Sequence, residues 1–221
     1  MSTVLSIVVA LAVTSYRRQH RRRALKEQYH TDGADIGLAE WSDDICRLST
    51  WTPGKFGVDR IVNEAPNLKE LYLYRNCSDA ILEKVSQLKH LELLHIRDEA
   101  VRGDPVDVTD QGLAHIAELK SLKRLYLRDC PAITGEGMVH LSVLPELEEL
   151  DMFKSPIGDE GVKHLAKVPR LRMLRLGDMA MTDEALLSLR SAPSLRVLNV
   201  GRGVTPGAIK EFERDTGVGV R

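Results

Sequence analysis

Aromatic residues make up only 5% of the 221-residue chain, too few to line a large hydrophobic pocket, so a core has to come from Leu, Val, Ile and Ala. Cysteine is nearly missing. Cys46, Cys77 and Cys130 are the only three, an odd number without C-x-x-C spacing, which argues against a disulfide framework and for reduced thiols in a cytosol-like compartment. There is no large charge excess either: the formal net charge is −1, and because residues 1–26 hold six Arg or Lys and no acid, the remainder carries −7. A mildly acidic folded part offers nucleic acid no domain-wide electrostatic footing, and no nucleic-acid partner is expected. Nucleophile elbows and phosphate loops are absent too, and GRGVTPG (201–207) fails both the spacing and the strand-to-helix context of a dinucleotide fingerprint. The expectation is a non-enzyme with no catalytic residue and no cofactor. What the chain does have is 43% hydrophobic residues, enough for a sizeable core without disulfides or metals.

The one long apolar run is MSTVLSIVVALAVTSY (1–16), followed at once by RRQHRRRALK with Arg17, Arg18, Arg21, Arg22, Arg23 and Lys26. As a helix the run would reach about 24 Å, short of a hydrocarbon core of roughly 30 Å unless arginines snorkel or the bilayer thins. A cleavable signal peptide would want positive charge ahead of the apolar stretch, and the A-x-A site at Ala10–Ala12 comes too early. A basic nucleic-acid arm is the third reading. The order of apolar run and basic flank favours a membrane anchor with the rest of the chain cytoplasmic; secretion is the alternative if the run is cleaved.

From residue 66 the sequence repeats. Units begin at PNLKELYLYRN, KHLELLHIRDE, KSLKRLYLRDC, PELEELDMFKS, PRLRMLRLGDM and PSLRVLNVGRG, and their leading leucines are Leu68, Leu91, Leu122, Leu147, Leu171 and Leu195. Steps of 23, 31, 25, 24 and 24 residues show a single insertion near 98–107. Each unit has an L-x-x-L-x-L run that ends in strand-like alternation, then an apolar residue at every third position, as in Leu113, Ile116 and Leu119, like a short helix. Thr109, Thr134, Thr182 and Thr205 stand where an N-cap is wanted, with Pro206 following the last. One strand–turn–helix unit cannot bury its apolar face alone, so the units must stack with a parallel sheet inside and helices outside.

These units resemble the leucine-rich repeat family, in its ribonuclease-inhibitor-like and F-box-associated form: TDQGLAHI, GDEGVKHL and TDEALLSL match T-D-x-G-L-x-x-L, and all six units carry L-x-x-L-x-L. The resemblance implies an α/β fold, a right-handed solenoid or horseshoe with its parallel sheet concave and its helices convex. It also implies a protein-interaction scaffold, similar to membrane-anchored bacterial repeat proteins, with a substrate-recognition adaptor of the F-box type as the alternative. After each strand the family pattern expects Asn or Cys; Asn76 and Cys130 comply, while Ser155, Met179 and Gly203 depart. The domain reading is an anchor (1–16), a basic juxtamembrane segment (17–26), an N-terminal cap (27–65), six repeats (66–217) and a C-terminal edge (218–221). In the cap, GVDRIVNEA (57–65) reads as the helix of a degenerate leading unit, with Trp41, Trp51 and Phe56 covering the end of the first repeat.

Strand residues that point away from the leucines form columns across the units. The middle column reads Tyr72, His95, Tyr126, Asp151, Arg175, Asn199; the next reads Tyr74, Arg97, Arg128, Phe153, Gly177, Gly201. Aromatic and Arg side chains are the types that dominate interface energetics, so Tyr72, Tyr74, His95, Arg97, Arg124, Tyr126, Arg128, Asp151, Phe153 and Arg175 are the expected contacts of a protein partner, on a chain expected to be monomeric. An acid–base role for Asp151 beside His95 and Tyr126 has no pocket to support it. His115, His140 and His164 share one helical slot, but outer helices roughly 8–10 Å apart keep three imidazoles from one metal, and no metal is expected. The acidic insertion DEAVRGDPVDVTD (98–110) lacks the spacing of a calcium loop, and its Arg102-Gly103-Asp104 is better read as part of a solvated loop at the rim of the concave face.

Overall fold

The computed structural model describes residues 19–31, 34–38, 45–50, 58–74, 77–97 and 106–221. The apolar run, Trp41, Trp51, Phe56, Asn76 and the Arg102-Gly103-Asp104 tripeptide lie outside the described residues. Within them, no helix is long and apolar enough to cross a membrane. Helix α1 spans residues 19–31, so the boundary drawn after residue 26 falls inside it. Strands β1 (Ala34–Leu38) and β2 (Ile45–Thr50) precede α2 (Val58–Glu64). Then come β3 (Glu70–Tyr74), α3 (Asp79–Val85), β4 (Leu93–Arg97), α4 (Asp110–Ile116), β5 (Arg124–Arg128) and α5 (Met138–Leu141). The second half holds β6 (Glu149–Asp151), α6 (Gly158–Leu165), β7 (Met173–Arg175), α7 (Asp183–Ser188), β8 (Val197–Asn199), α8 (Pro206–Thr216) and β9 (Gly219–Val220).

The nine strands among the described residues join one sheet in chain order. The pair β1–β2 is antiparallel, and every pairing from β2 onward is parallel. The leucine columns explain that order. Leu48, Leu71, Leu94, Leu125, Leu150, Leu174 and Leu198 stand in register from one strand to the next, and all are buried. Burying a Leu side chain contributes about 1.5–3 kcal/mol, and each leucine reaches that burial only because neighbouring units close over it. The leading leucines, from Leu68 to Leu195, fill the layer between sheet and helices with Leu113, Ile116, Leu141, Leu165 and Leu189. At the C-terminal end, Gly217 closes α8 in the left-handed conformation (φ 69°) and β9 pairs with β8. At the other end, Tyr29 of α1 is buried, donates its hydroxyl to Glu64 of α2 and lies 4.6 Å under the Arg60 guanidinium.

A second connection runs along the helix starts. Asp79 accepts from the Thr109 amide (2.9 Å) and hydroxyl (2.6 Å), and Asp110 accepts from the Thr134 amide (2.8 Å) and hydroxyl (2.6 Å). Asp159 holds Thr182 (3.1 and 2.6 Å) and Asp183 holds Thr205 (2.7 Å for both) in the same way. The threonine hydroxyls in turn accept from Gln111, Glu136, Ala185 and Ala208 amides. Thr109, Thr182 and Thr205 each cap their own helix. Thr134 does not occupy the expected cap position, since α5 starts later, after Gly137, and the Thr134 hydroxyl accepts from a turn amide. In all four rungs the Asp fastens the next unit's threonine. One rung is missing. Where α5 and α6 meet, the Asp slot is Gly135 and the Thr slot is Gly158. Close backbone approach replaces the hydrogen bonds, since a Cβ on Gly135 would lie 2.5 Å from the Ile157 carbonyl oxygen and 2.8 Å from the Gly161 nitrogen. Gly158 itself is left-handed, with φ 58°.

The slot after each strand also behaves differently from its sequence pattern. Ser155, read as a departure from the Asn-or-Cys pattern, is fully buried and donates its hydroxyl to the Leu127 carbonyl (3.1 Å), so the short side chain still ties two units together. Met179 fills the slot by burial alone. Cys77 and Cys130 are buried, and burial pushes the Cys77 thiol far above its ordinary range.

Candidate partner-binding face

The middle column forms as the alternation predicts: Tyr72, His95, Tyr126, Asp151, Arg175 and Asn199 are consecutive register partners. Tyr74, Arg97 and Arg128 align beside them. Strands β6, β7 and β8 shorten to three residues, so Phe153 and Gly177 follow the strands rather than sit in them.

The column divides into two halves of different chemistry. In the N-terminal half, the His95 ring lies 5.7 Å from Tyr72, 5.9 Å from Tyr74 and 5.4 Å from Tyr126, with rings tilted or edge-on. Such geometry suits aromatic quadrupoles and makes a continuous half-buried platform. Two acids of the first strand column, which the sequence reading passed over, fix its edges. Glu70 lies 3.2 Å from Arg124 and accepts from the Tyr72 hydroxyl (3.3 Å). Glu149 accepts from the Tyr126 hydroxyl at 2.8 Å. Partial burial, reinforced by that hydrogen bond to Glu149, pushes the Tyr126 phenol up to about 12. The phenol is therefore a neutral donor at physiological pH, and the stability its burial contributes is complete below the ordinary tyrosine value near 10 and is lost as pH rises through about 12.

The C-terminal half is built on Asp151. Its carboxylate is 1% exposed, so Asp151 differs from the outward-facing contact that alternation suggests. It accepts from Arg128 through both Nε (3.0 Å) and an Nη, and from the Phe153 amide (3.1 Å). Arg175 approaches it to 3.7 Å. Arg128, Arg175, Phe153, Gly177 and Asn199 surround Asp151 in a shallow depression of about 240 Å³. Phe153 is 37% exposed and stands over Gly177, where a Cβ would lie 2.9 Å from its ring.

Other sequence candidates do not converge. His115, His140 and His164 are half-buried on α4, α5 and α6, and no group of three or more His, Cys, Asp or Glu is placed to hold a metal among the described residues. Of the insertion, Val106 is buried and the Asp107 amide donates to the Cys77 carbonyl at 2.8 Å; residues 98–105 lie outside the described residues.

Parallel strands inside, helices outside and a register that advances one strand per repeat define a leucine-rich-repeat solenoid. The Leucine Rich repeat family model matches residues 118–142 and 144–166. Internalin C2 of Listeria monocytogenes has a similar fold, with TM-score 0.53 and 21% identity over 76% of this chain and 67% of that one. A leucine-rich-repeat protein of Leptospira interrogans is similar at TM-score 0.50 and 19% identity over 73% of this chain; the match spans 39% of that longer protein. No curated protein matches the chain.

Proposed function

We propose that this protein is a non-catalytic interaction scaffold that presents its concave strand face to another protein. The observation that carries the reading is the ring contact of Tyr72, Tyr74, His95 and Tyr126 across three adjacent strands, continued by Arg97, Arg124, Arg128 and Arg175. Large aromatic and guanidinium side chains held in fixed rotamers lose little entropy on binding and supply most of the energy of an interface. Asp151 acts through Arg128 and Arg175, which it positions. Replacing Tyr72 and Tyr126 with alanine, with Arg128 kept on the buried Asp151 carboxylate, is expected to abolish affinity capture of a specific partner from native extract while circular dichroism still shows a cooperatively folded chain. Undiminished capture by that variant would reject the concave face as the docking surface.

Residues 1–26 are proposed to tether the solenoid to a membrane, on the strength of the apolar run and its basic flank. Because α1 is pinned to α2 through Tyr29, a tether entering α1 would hold the repeats close to the bilayer surface. Removing residues 1–16 alone leaves α1 in place and is expected to move the protein from the membrane pellet to the soluble fraction. Retention in the pellet would rule the tether out.

A further inference from the structure

We propose that the depression around Arg175 is a seat for a carboxylate, and that the partner segment reaching it is acidic, with an apolar side chain next to the acid. The inference rests on the concave-face reading and gives that face a ligand chemistry. Its basis is charge accounting within one small volume. Two guanidiniums, Arg128 and Arg175, share the single carboxylate of Asp151. Arg128 takes the hydrogen bonds, through Nε and Nη. Arg175 stays 3.7 Å from the same oxygen, beyond hydrogen-bond reach, and its side chain is 41% exposed. Its planar fork of donors therefore faces the depression with one positive charge left uncompensated, and a fork of that shape matches a carboxylate.

The walls fit the same occupant. Asn199 lines the depression from the next strand, and Gly177 leaves the floor without a side chain, next to the half-exposed ring of Phe153. An acid seated on Arg175 thus brings its neighbouring side chain onto Phe153. Rim charges do not cancel the excess, because they alternate and pair among themselves: Lys154 lies 3.5 Å from Asp129, and Arg202 lies 3.3 Å from Asp178. The volume of about 240 Å³ suits one side-chain terminus and is small for a cofactor.

The test is an NMR titration of the full chain, reading arginine Nε–Hε signals, with the peptide acetyl-Glu-Leu-Glu-Leu-Glu-amide as probe. Saturable shifts at Arg175 and Arg128 are expected, with about tenfold weaker binding for the peptide in which every Glu is Gln and a similar loss for Arg175→Gln. Arg128 still neutralises Asp151 in that variant, so the fold is kept. Equal shifts with the Gln peptide would overturn the proposal, as would equal shifts with the same concentration of inorganic phosphate, which would mark an unselective anion site. Shifts confined to Arg97 and Arg124 would leave the concave-face reading intact and remove the seat at Arg175. Loss of partner capture in the Tyr72 and Tyr126 variant, which leaves Arg128, Asp151 and Arg175 intact, is measured independently, so the two ideas can fail separately.

Discussion

Truncating Leu150 to alanine is expected to cost about 3 kcal/mol and to lower the thermal midpoint by roughly 10 °C. Leu150 lies between Leu125 and Leu174 in the register, and all three are essentially inaccessible to solvent. Its side chain belongs to the core that the third and fourth units share. Removing it leaves a cavity that neighbouring strands cannot close without breaking the ladder hydrogen bonds. The junction has no aspartate–threonine rung to compensate, since Gly135 and Gly158 occupy those slots. In a stacked solenoid stability is the sum of unit and interface terms, so the damage should be felt most at this interface. Denaturant unfolding followed by circular dichroism should therefore become broader as well as earlier. A midpoint within about 2 °C of the parent protein, well below what a cavity of this kind costs, would mean that this column is not the core that couples the units.

Gly201→Ala is expected to be nearly as damaging, at about 3 kcal/mol. The reason is steric. A Cβ at this position would overlap the Met179 carbonyl oxygen and lie 2.8 Å from both the Met179 carbonyl carbon and its nitrogen. Backbone cannot rotate away as a side chain can. The carbonyl also accepts the Arg202 amide at 3.0 Å, and the Met181 amide donates to the Arg202 carbonyl at 3.1 Å, so separating the two segments breaks the bridge that joins the last unit to the one before. Hydrogen exchange should accelerate first in α8 and β9, with the first three repeats still protected. Uniform acceleration along the chain, or none, would contradict this account.

Much of this architecture could be read before any coordinates, for a specific reason. A side-chain period of two within each strand, multiplied by a unit length near 24, leaves only one register in which Leu125, Leu150 and Leu174 stay inside, and that register places Tyr72, His95 and Tyr126 side by side. The same alternation is silent about depth, so it could not show that Asp151 sinks beneath Arg128 and Arg175. Nor could it show which carboxylates clamp which neighbours: Asp110 and Thr134 are 24 residues apart in the chain, and each also has an adequate local explanation as a first-turn acid or a cap. Ser155 was obscured by residue type, because the pattern names Asn or Cys, whereas the geometry asks only for a short donor that reaches the Leu127 carbonyl. Strands β1 and β2 carry no L-x-x-L-x-L phrase, and their place at the head of the sheet comes from the pairing of β2 with β3 and of β1 with β2.

The paired glycines at 135 and 158 have a consequence for how such a chain can be lengthened or shortened. The second and fifth units are complete modules, each offering an aspartate forward and a threonine backward. The third and fourth units break that rule in complementary ways, one lacking the forward half and the other the backward half. Excising the third alone would set Asp110 against Gly158, and excising the fourth alone would set Gly135 against Thr182. Taking out both would bring Asp110 to Thr182 and close the line again. In the grammar of the repeat array, these two units are one inseparable word.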